Sequence, residues 1–266
     1  MFLTKKSILK IWLLTGLYGI LTIACLAAFI TTEIYVGTCF LAILAAICFV
    51  LGLFSYMVGR YAEGKGKLLD KGNKLVNREL KPAEFIRLYE NVRDCPDNVV
   101  AKPDFDVLAL LLVAYDSLGA TEREFEIIEQ LKLIATKKKM NRVKLVESAL
   151  LYETGKIDEA EELYKEVLNS KIDFMATAIL DVVTKSDRAR ALGDFTLAEM
   201  YYKQKLISTF PKPAPLDLIE SHFILADIYF KTDRKEEAKT YLEYCAQNGG
   251  ETKIRLDAIE RLKEFE

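Results

Sequence analysis

Apolar residues are concentrated in two runs near the start of this 266-residue chain. The first covers residues 11–30 and the second covers residues 34–59, and neither contains an acidic or basic side chain. An α-helix needs about 20 predominantly apolar residues to cross the hydrocarbon core of a bilayer. Each run therefore predicts a transmembrane helix, and the short polar connection at residues 31–33 predicts a tight external turn between antiparallel spans.

The charged residues beside these runs predict the orientation of the hairpin. The connection carries the acidic residue Glu33, whereas the outer flanks are basic. The flanking basic residues are Lys5, Lys6, Lys10, Arg60, Lys65, Lys67, Lys71 and Lys74. Because basic flanks favour the cytoplasmic side of a membrane, we expect residues 1–10 to form a cytoplasmic tail. We likewise expect everything after residue 59 to be cytoplasmic, with the hairpin in a bacterial plasma membrane.

Two alternatives exist for the first apolar run. Residues 1–30 have the basic start and apolar middle of a cleaved secretory signal, and residues 21–25 loosely resemble a lipoprotein signal that ends at Cys25. The run is longer than the roughly 7 to 15 apolar residues of a secretory signal, and a second apolar run follows at once. Even after cleavage, the second span would leave residues 60 onward inside.

The polar part of the chain repeats a turn followed by a helix. The turn residues recur at intervals of about 36 to 40 residues, and a small residue and then a bulky one follow at fixed distances. The turn residues are Gly119, Gly155, Gly193 and Asp233; the small residues of the three clear copies are Ala160, Ala198 and Ala238, followed by Tyr164, Tyr202 and Leu242. Glycine accepts the left-handed conformation at a helix C-terminus, and aspartate does so less readily.

This pattern resembles the tetratricopeptide repeat family, whose unit of about 34 residues joins two helices in the same way. Two earlier copies are degenerate, because residues 107–133 place Glu124 where alanine is expected and residues 61–95 lack the turn glycine. The resemblance implies an all-α protein in which residues 60–250 form an α-solenoid of helix hairpins.

Residues 251–266 predict a C-terminal capping helix. Ile254, Leu256, Ile259 and Leu262 fall largely along one face of this helix, with polar residues opposite. Repeat arrays need such a terminal element to cover their last apolar surface. Coiled-coil dimerisation is the alternative interpretation, but the segment is short for it.

Residues that carry enzyme chemistry are sparse in this sequence. The single histidine, His222, excludes the HExxH zinc motif and histidine clusters, and no GxxxxGK[ST] phosphate loop occurs. The cysteines form no CxxC pair, and 37 basic against 39 acidic residues give a net charge of −2, with no basic field for nucleic acid. We therefore expect a non-enzymatic protein without cofactor, metal or nucleic-acid partner.

Three local features have ordinary structural interpretations. Asp104 precedes a helical segment and predicts an N-cap. Lys137 to Lys139, with Arg142 and Lys144, predict solvated helix ends, with a lipid or nucleic-acid contact as the alternative. We expect His222 to be structural, because it stands beside Phe223 among apolar residues.

The resemblance also implies where a partner binds. In tetratricopeptide arrays the first helices of successive units line a groove for a peptide or partner segment. In this register the groove residues are Arg142, Leu145, Ala149 and Tyr152, then Val183, Asp187 and Arg190, then Glu220, Phe223, Asp227 and Phe230. Leu145 and Ala149 stand where family members that hold acidic chaperone C-termini carry Lys and Asn, so we do not expect that ligand.

These observations together predict a membrane-anchored scaffold. The repeats would bind a protein partner at the cytoplasmic face, and the two spans would contact the lipid bilayer. The alternative is an accessory or regulatory subunit of a membrane enzyme or transporter that docks through the transmembrane hairpin.

Overall fold

The structure is a computed structural model that describes residues 12–24, 35–94, 104–170, 174–208 and 212–265. The predicted tail at residues 1–10 and the predicted turn at residues 31–33 lie outside the described residues. The chain divides into two compact units. We call Met1–Asp70 with Val92–Lys102 the N-terminal unit, and Lys71–Asn91 with Pro103–Glu266 the repeat unit.

Two helices of the N-terminal unit pack side by side. Helix α1 covers Trp12–Ala24 and helix α2 begins at Tyr35. The rings of Trp12 and Tyr56 meet edge to face with 5.4 Å between their centroids, and a Cβ on Gly52 would lie 3.5 Å from the Cβ of Tyr18. The contacts shift backwards along α2 as they advance along α1, so the two helices are antiparallel.

Helix α2 covers Tyr35–Asn73 and therefore continues past the predicted end of the second span at residue 59. The sequence becomes polar near Arg60, but it contains no proline there that would end the helix. Glu63 and Lys67, which are one helical turn apart, form an ion pair at 2.8 Å that stabilises the helix. The sequence changes from apolar to polar at this point, but the helix continues without a break. Among the described residues, one helical stretch, Ile43–Arg78, is long and apolar enough to cross a membrane; α1 is apolar but shorter.

A tight segment follows α2. The residues Lys74–Arg78 form a π-helical turn, Leu80 adopts a φ of +55°, and α3 covers Pro82–Arg93. Proline suits the first position of α3, because its missing N–H has no partner within a helix there. The predicted first repeat copy, residues 61–95, therefore begins inside α2.

The rest of the repeat unit is a succession of helices, and no strand occurs among its described residues. The helices are α4 (Phe105–Asp116), α5 (Thr121–Ile134), α6 (Lys137–Glu153), α7 (Ile157–Asn169), α8 (Phe174–Ala191), α9 (Phe195–Ile207), α10 (Pro215–Lys231), α11 (Lys235–Asn248) and α12 (Lys253–Leu262), with a final 3₁₀ turn at Lys263–Phe265. Consecutive helices pair as α4 with α5, α6 with α7, α8 with α9 and α10 with α11, and neighbouring pairs also pack on each other. This arrangement confirms an all-α, solenoid-like array.

The predicted turn geometry is confirmed. Gly155 and Gly193 have φ angles of +77° and +80°, and Asp233 has a φ of +60°. The next residue closes each turn: the N–H of Lys156 donates to the carbonyl of Leu151 at 2.9 Å, and corresponding bonds close the turns after Gly193 and Asp233. This is the Schellman arrangement, which satisfies the last carbonyls of the first helix of each pair.

The small residues after the turns are also where the pattern places them. Ala160, Ala198 and Ala238 are completely buried, so the second helix of each pair approaches the first closely. The bulky residues one turn later, Tyr164, Tyr202 and Leu242, are buried as well.

The capping helix differs from its prediction in the face that it buries. Helix α12 packs on α11 through Ala258, which is completely buried, with Ile254, Leu262 and Phe265 beside it. Leu256 and Ile259 are exposed, so the predicted apolar face is wrong at these two positions. Because α12 packs closely on α11, a small residue lies at the centre of the contact, and the larger side chains of Leu256 and Ile259 lie outside it.

Candidate partner-binding surface

Two of the predicted groove residues belong to the core. Leu145 packs with Tyr164 and Val167, and Tyr152 packs with Leu151 and Ala160 while its hydroxyl donates to Glu161. Only 1% of Leu145 and 3% of Tyr152 is exposed, so neither side chain is available to a partner. The prediction is corrected here, because the face of α6 that carries both residues is occupied by the neighbouring helix α7.

The last unit shows a second departure from an open groove. The guanidinium of Arg261, on α12, lies 5.0 Å from the centroid of the Phe223 ring and donates to Asp227 at 3.3 Å. The capping helix thus covers part of the face of α10. Phe230 is 43% exposed, with its ring edge against Phe265 at a centroid distance of 6.2 Å.

The remaining predicted residues are partly accessible. Arg142, Ala149 and Val183 are half-buried on α6 and α8, and the Nε of Arg142 has no hydrogen-bond partner within the part of the chain that the structure describes.

Asp187 and Arg190 of α8 belong to an ionic cluster with Glu153 of α6. Arg190 lies between the two carboxylates, with N–O distances of 3.4 Å to Glu153 and 3.7 Å to Asp187. The hydroxyl of Tyr202, on α9, donates to Asp187 at 2.5 Å. Arg190 therefore links the first helices of two successive units.

The cluster continues to both ends of the array. Lys205 of α9 contacts Asp217 at 3.2 Å and Glu220 at 3.7 Å, both on α10. Asp116, the last residue of α4, has its pKa raised by the negative charges of Glu220, Glu153 and Asp187. We define the inner cluster as Asp116, Glu153, Asp187, Arg190, Lys205 and Glu220.

Burial and mutual repulsion hold the inner carboxyls at raised pKa values. Burial raises the pKa of Asp187 to about 7, and Glu153 adds to this effect while Arg190 opposes it. Burial likewise raises the pKa of Glu220 to about 7, against the attraction of Lys205. The pKa of Asp116, an exposed residue, is raised by the surrounding protein and then by the charge of Glu220. The cluster therefore changes its charge near neutral pH.

Sequence comparison agrees with this geometry at the last helix pair. Residues 219–247 match the tetratricopeptide repeat family. The match covers most of α10 and α11, including the Asp233 turn and Ala238. Comparison with curated proteins and with solved structures gives no match. The last helix pair is thus similar to a tetratricopeptide repeat, and repeats of this family typically mediate protein–protein interaction.

The tetratricopeptide register identified only half of the inner cluster. It included Asp187, Arg190 and Glu220 and missed Asp116, Glu153 and Lys205. Asp116 and Glu153 end their helices just before a turn glycine, which is a signal that the sequence does contain. Lys205 comes from a second helix, which a register built on first helices leaves out.

The helical array also has an apolar groove between α7, α8 and α9. Its volume is about 350 Å³. It is lined by Tyr164, Leu168, Lys185, Arg188, Ala189, Leu192, Asp194, Leu197 and Tyr201.

The other predicted local features have structural roles. Asp104 caps α4 by accepting from the N–H of Asp106 at 2.9 Å, which confirms the N-cap. His222 stacks on Tyr244 with 4.0 Å between centroids, and burial lowers its pKa. In the basic segment, Lys139 pairs with Asp106 at 3.2 Å. No group of three His, Cys, Asp or Glu residues within the described ranges is arranged to hold a metal ion.

Proposed function

We propose that this protein is a membrane-anchored, tetratricopeptide-like scaffold that binds a protein partner at the cytoplasmic face of a bacterial plasma membrane. The observation that carries the proposal is the family match at residues 219–247, within an array in which two other helix pairs, α6 with α7 and α8 with α9, share its left-handed turn and its buried alanine. Binding, without catalysis, is the role proposed for the array.

The exposed apolar surface of α2 supports the membrane anchor. Large apolar side chains are exposed around this helix and would be poorly accommodated by water. Those with more than half of their surface exposed are Ile43, Phe49, Val50, Phe54 and Met57. The hydrocarbon core of a bilayer accommodates such an apolar surface. The basic residues that flank the two apolar runs favour a cytoplasmic location for the repeats.

The surface proposed for the partner contains the half-buried residues and the accessible members of the inner cluster; Asp187, which is only 3% exposed, is not part of it. Ala149 and Val183 are apolar and partly accessible on α6 and α8, next to Glu153 and Asp187 along the same helices. The surface can therefore contact both apolar and charged groups of a partner segment.

Site-specific photo-crosslinking of the full-length protein in its own membranes tests this proposal. A photoreactive amino acid at Ala149 or Val183 should give a discrete adduct with one partner, identified by mass spectrometry. The matched control is the same amino acid at Glu162, an exposed position on α7. Equal adducts from all three positions, or none from Ala149 and Val183, would exclude this surface as the binding site.

Replacement of the apolar hairpin separates the scaffold from the alternative role. An unrelated two-span anchor in place of residues 11–59 should preserve the adduct if the hairpin only anchors the repeats. Loss of the adduct while the protein stays in the membrane would favour an accessory subunit that docks through its spans.

A further inference from the structure

Three large aliphatic side chains are exposed at the ends of successive helix pairs. Leu133, Leu168 and Ile207 each lie within the last two residues of the second helix of a pair, in α5, α7 and α9. Their exposed fractions are 85%, 51% and 78%. Side chains this exposed contribute little to the packing of the array, so all three are accessible to something outside it.

Contacts at the helix ends place Leu133 and Leu168 on the same edge of the repeat unit. The amide of Asn141, near the start of α6, donates to the hydroxyl of Ser170, just after α7, at 2.7 Å. The start of α6 therefore lies beside the end of α7, which carries Leu168. Helix α5 leads into the start of α6 through two residues, so its end, with Leu133, lies there as well.

The third pair continues this edge. The hydroxyl of Thr184, on α8, donates to the carbonyl of Leu145 on α6 at 3.3 Å, and Arg190 contacts Glu153 further along both helices at 3.4 Å. Helices α6 and α8 are therefore parallel. Because α9 packs on α8 after the tight turn at Gly193, α9 ends beside the start of α8. Ile207 thus lies on the same edge as the other two residues.

The charges of the two edges of the array are opposite. The segments that connect one pair to the next contain nine lysines and three acidic residues in residues 132–139, 165–173 and 203–217. The segments around the turn glycines contain two basic and eight acidic residues in residues 117–125, 153–161 and 191–199. We call the edge with Leu133, Leu168 and Ile207 the basic edge, and the edge with the turns the acidic edge.

Ion pairs neutralise acidic side chains beside the basic edge and leave lysines in excess. Glu166 pairs with Lys144, and Asp217 pairs with Lys205 at 3.2 Å. The exposed lysines of this edge that have no ion-pair partner among the described residues are Lys137, Lys138 and Lys212. The basic edge therefore presents positive charge and aliphatic side chains together.

The last helix pair does not extend the basic edge. The loop after α11 is held against an earlier part of the repeat unit, because the N–H of Lys253 donates to the carbonyl of Ser117 at 2.9 Å. The end of α11 carries the polar residues Gln247 and Asn248 where the earlier pairs carry an exposed aliphatic residue.

We propose that the basic edge lies against the anionic phospholipid surface of the membrane that holds the protein, with its three aliphatic side chains between the headgroups. Lysines are attracted to anionic headgroups, and aliphatic side chains gain free energy when they leave water at the boundary of the acyl chains. A nucleic acid would match the lysines but not the aliphatic side chains. The inference rests on the proposed function, because the anchor would keep the repeats beside such a surface.

This contact is peripheral and is distinct from the membrane anchor. It depends on attraction between exposed charges, which salt screens, whereas a membrane span depends on an apolar surface within the hydrocarbon. Salt or alkali should therefore release the basic edge and leave the spans in the bilayer.

Fluorescence quenching by brominated phospholipid tests the contact on the full-length protein in vesicles. A fluorescent non-canonical amino acid at Leu133 or Ile207 reports whether that position reaches the acyl chains, because bromine atoms on the chains quench by contact. We expect strong quenching at both positions in vesicles of equal parts phosphatidylcholine and phosphatidylglycerol. Quenching should be much weaker in phosphatidylcholine alone and at high salt, because the attraction is then absent or screened.

Leu192 provides the matched control position. It is also aliphatic and is 50% exposed, but it directly precedes Gly193 and so belongs to the acidic edge. The same fluorescent amino acid at Leu192 should be quenched weakly in both kinds of vesicle.

Neutralising lysines tests the contribution of charge. Lys137→Gln with Lys138→Gln should lower the ratio of quenched to unquenched label at Leu133 about 30-fold in anionic vesicles, which corresponds to about 1 kcal/mol for each lysine. Lys156→Gln with Lys235→Gln is the matched control. It removes two exposed lysines beside the turns and should leave the ratio at the wild-type value.

Flotation of the vesicles separates failure of this inference from failure of the anchor. Protein that floats with both kinds of vesicle, but with labels at Leu133 and Leu192 quenched equally or not at all, would overturn the contact and leave the anchor standing. Equal quenching at Leu133 in both kinds of vesicle would also overturn it. Protein that floats with neither kind would overturn both proposals.

Two further outcomes are informative. Protein that floats only with anionic vesicles, with quenching confined to Leu133 and Ile207, would support the contact and contradict the anchor. Binding of duplex DNA at the basic edge, in the absence of quenching by lipid, would assign this edge to a nucleic acid and overturn the proposal.

Discussion

Arg234 of the last turn forms a two-pronged ion pair with Glu199 of the preceding unit, with N–O distances of 3.2 Å and 2.5 Å. Glu199 directly follows the buried Ala198, as Glu161 directly follows Ala160. Glu161 accepts in the same two-pronged way from Arg188 of the next unit. The residue after the buried alanine thus links neighbouring units at two successive steps of the array.

Removing the charge of Glu199 should destabilise the array in a pH-dependent way. The hydrogen bonds from Arg234 lower the pKa of Glu199 from 4.5 to about 2. The stabilisation is therefore complete above about pH 4.5 and is lost as the pH falls toward 2. Glu199→Gln should lower the free energy of unfolding by about 1 kcal/mol at neutral pH, after allowance for solvent screening.

Urea unfolding of Glu199→Gln and wild type at pH values from neutral to acid measures this effect. The exposed carboxylate of Glu162 provides the control, since Glu162→Gln should change stability little at any pH. A difference between Glu199→Gln and wild type that does not shrink on acidification would contradict the assignment to the ion pair.

The buried Glu124 should make the array less stable as the pH rises. Burial raises its pKa from 4.5 to about 7, so the folded state binds a proton that the unfolded state has released. Stability then falls between these two pH values and stays low above them. Glu124→Gln should gain on the order of 2 kcal/mol over wild type at about pH 8 and almost nothing at about pH 4.

Thermal unfolding of wild type and Glu124→Gln at the two pH values checks the prediction. Glu122→Gln, at an exposed position on the same helix, should show no such gain. A gain of equal size at both pH values would mean that shape at position 124, and not ionisation, sets the effect.

The packing of α12 predicts opposite sensitivities at two positions of the capping helix. Ala258 is completely buried, so Ala258→Leu should overpack its contact with α11 and cost about 1–3 kcal/mol. Leu256 is 65% exposed, and Leu256→Ala should change stability by less than about 0.5 kcal/mol. Chemical denaturation of both variants measures the difference. A larger loss of stability for Leu256→Ala than for Ala258→Leu would support the apolar face of α12 that the sequence predicted.

An arginine on α2 distinguishes a bilayer from water as the surroundings of this helix. Val50 is 62% exposed, and in water Val50→Arg would be harmless. At the centre of a membrane span the same change costs about 2.5–3.5 kcal/mol. We expect Val50→Arg to reduce the fraction of protein that resists alkaline extraction from membranes.

Leu133→Arg provides the matched control for the arginine substitution. Leu133 is 85% exposed on α5 of the repeat unit, and the change should leave the extracted fraction at the wild-type value. Equal extraction of wild type and both variants would argue against a bilayer around α2.

The turns and buried alanines could be predicted because they depend on local sequence. A left-handed residue ends a helix wherever it stands, and a small residue at a fixed distance after it permits the next helix to pack closely. These constraints lie within a single helix pair, so the printed sequence contains all of them. The same locality explains why the N-cap at Asp104 was predicted correctly.

The groove residues could not be predicted completely because they depend on contacts between pairs. The faces of α6 at Leu145 and Tyr152 are decided by α7, and the contact of Lys205 with Glu220 is decided by the packing of α9 on α10. In α12 the small residue Ala258 is buried in the contact with α11, whereas the more hydrophobic Leu256 is exposed. No periodic pattern along one helix contains this information.

The N–H of Lys253, at the start of α12, donates to the carbonyl of Ser117, just after α4, at 2.9 Å, so this contact depends on how many helix pairs lie between the two residues. An open solenoid can gain or lose a helix pair during evolution, because its two ends are independent of each other. Here a duplicated pair between α9 and α10 would carry Lys253 one full step away from Ser117. Duplication of a helix pair within this array would therefore have to be accompanied by a new contact between its ends. We expect evolutionary relatives of this protein that keep the contact to have the same number of helix pairs.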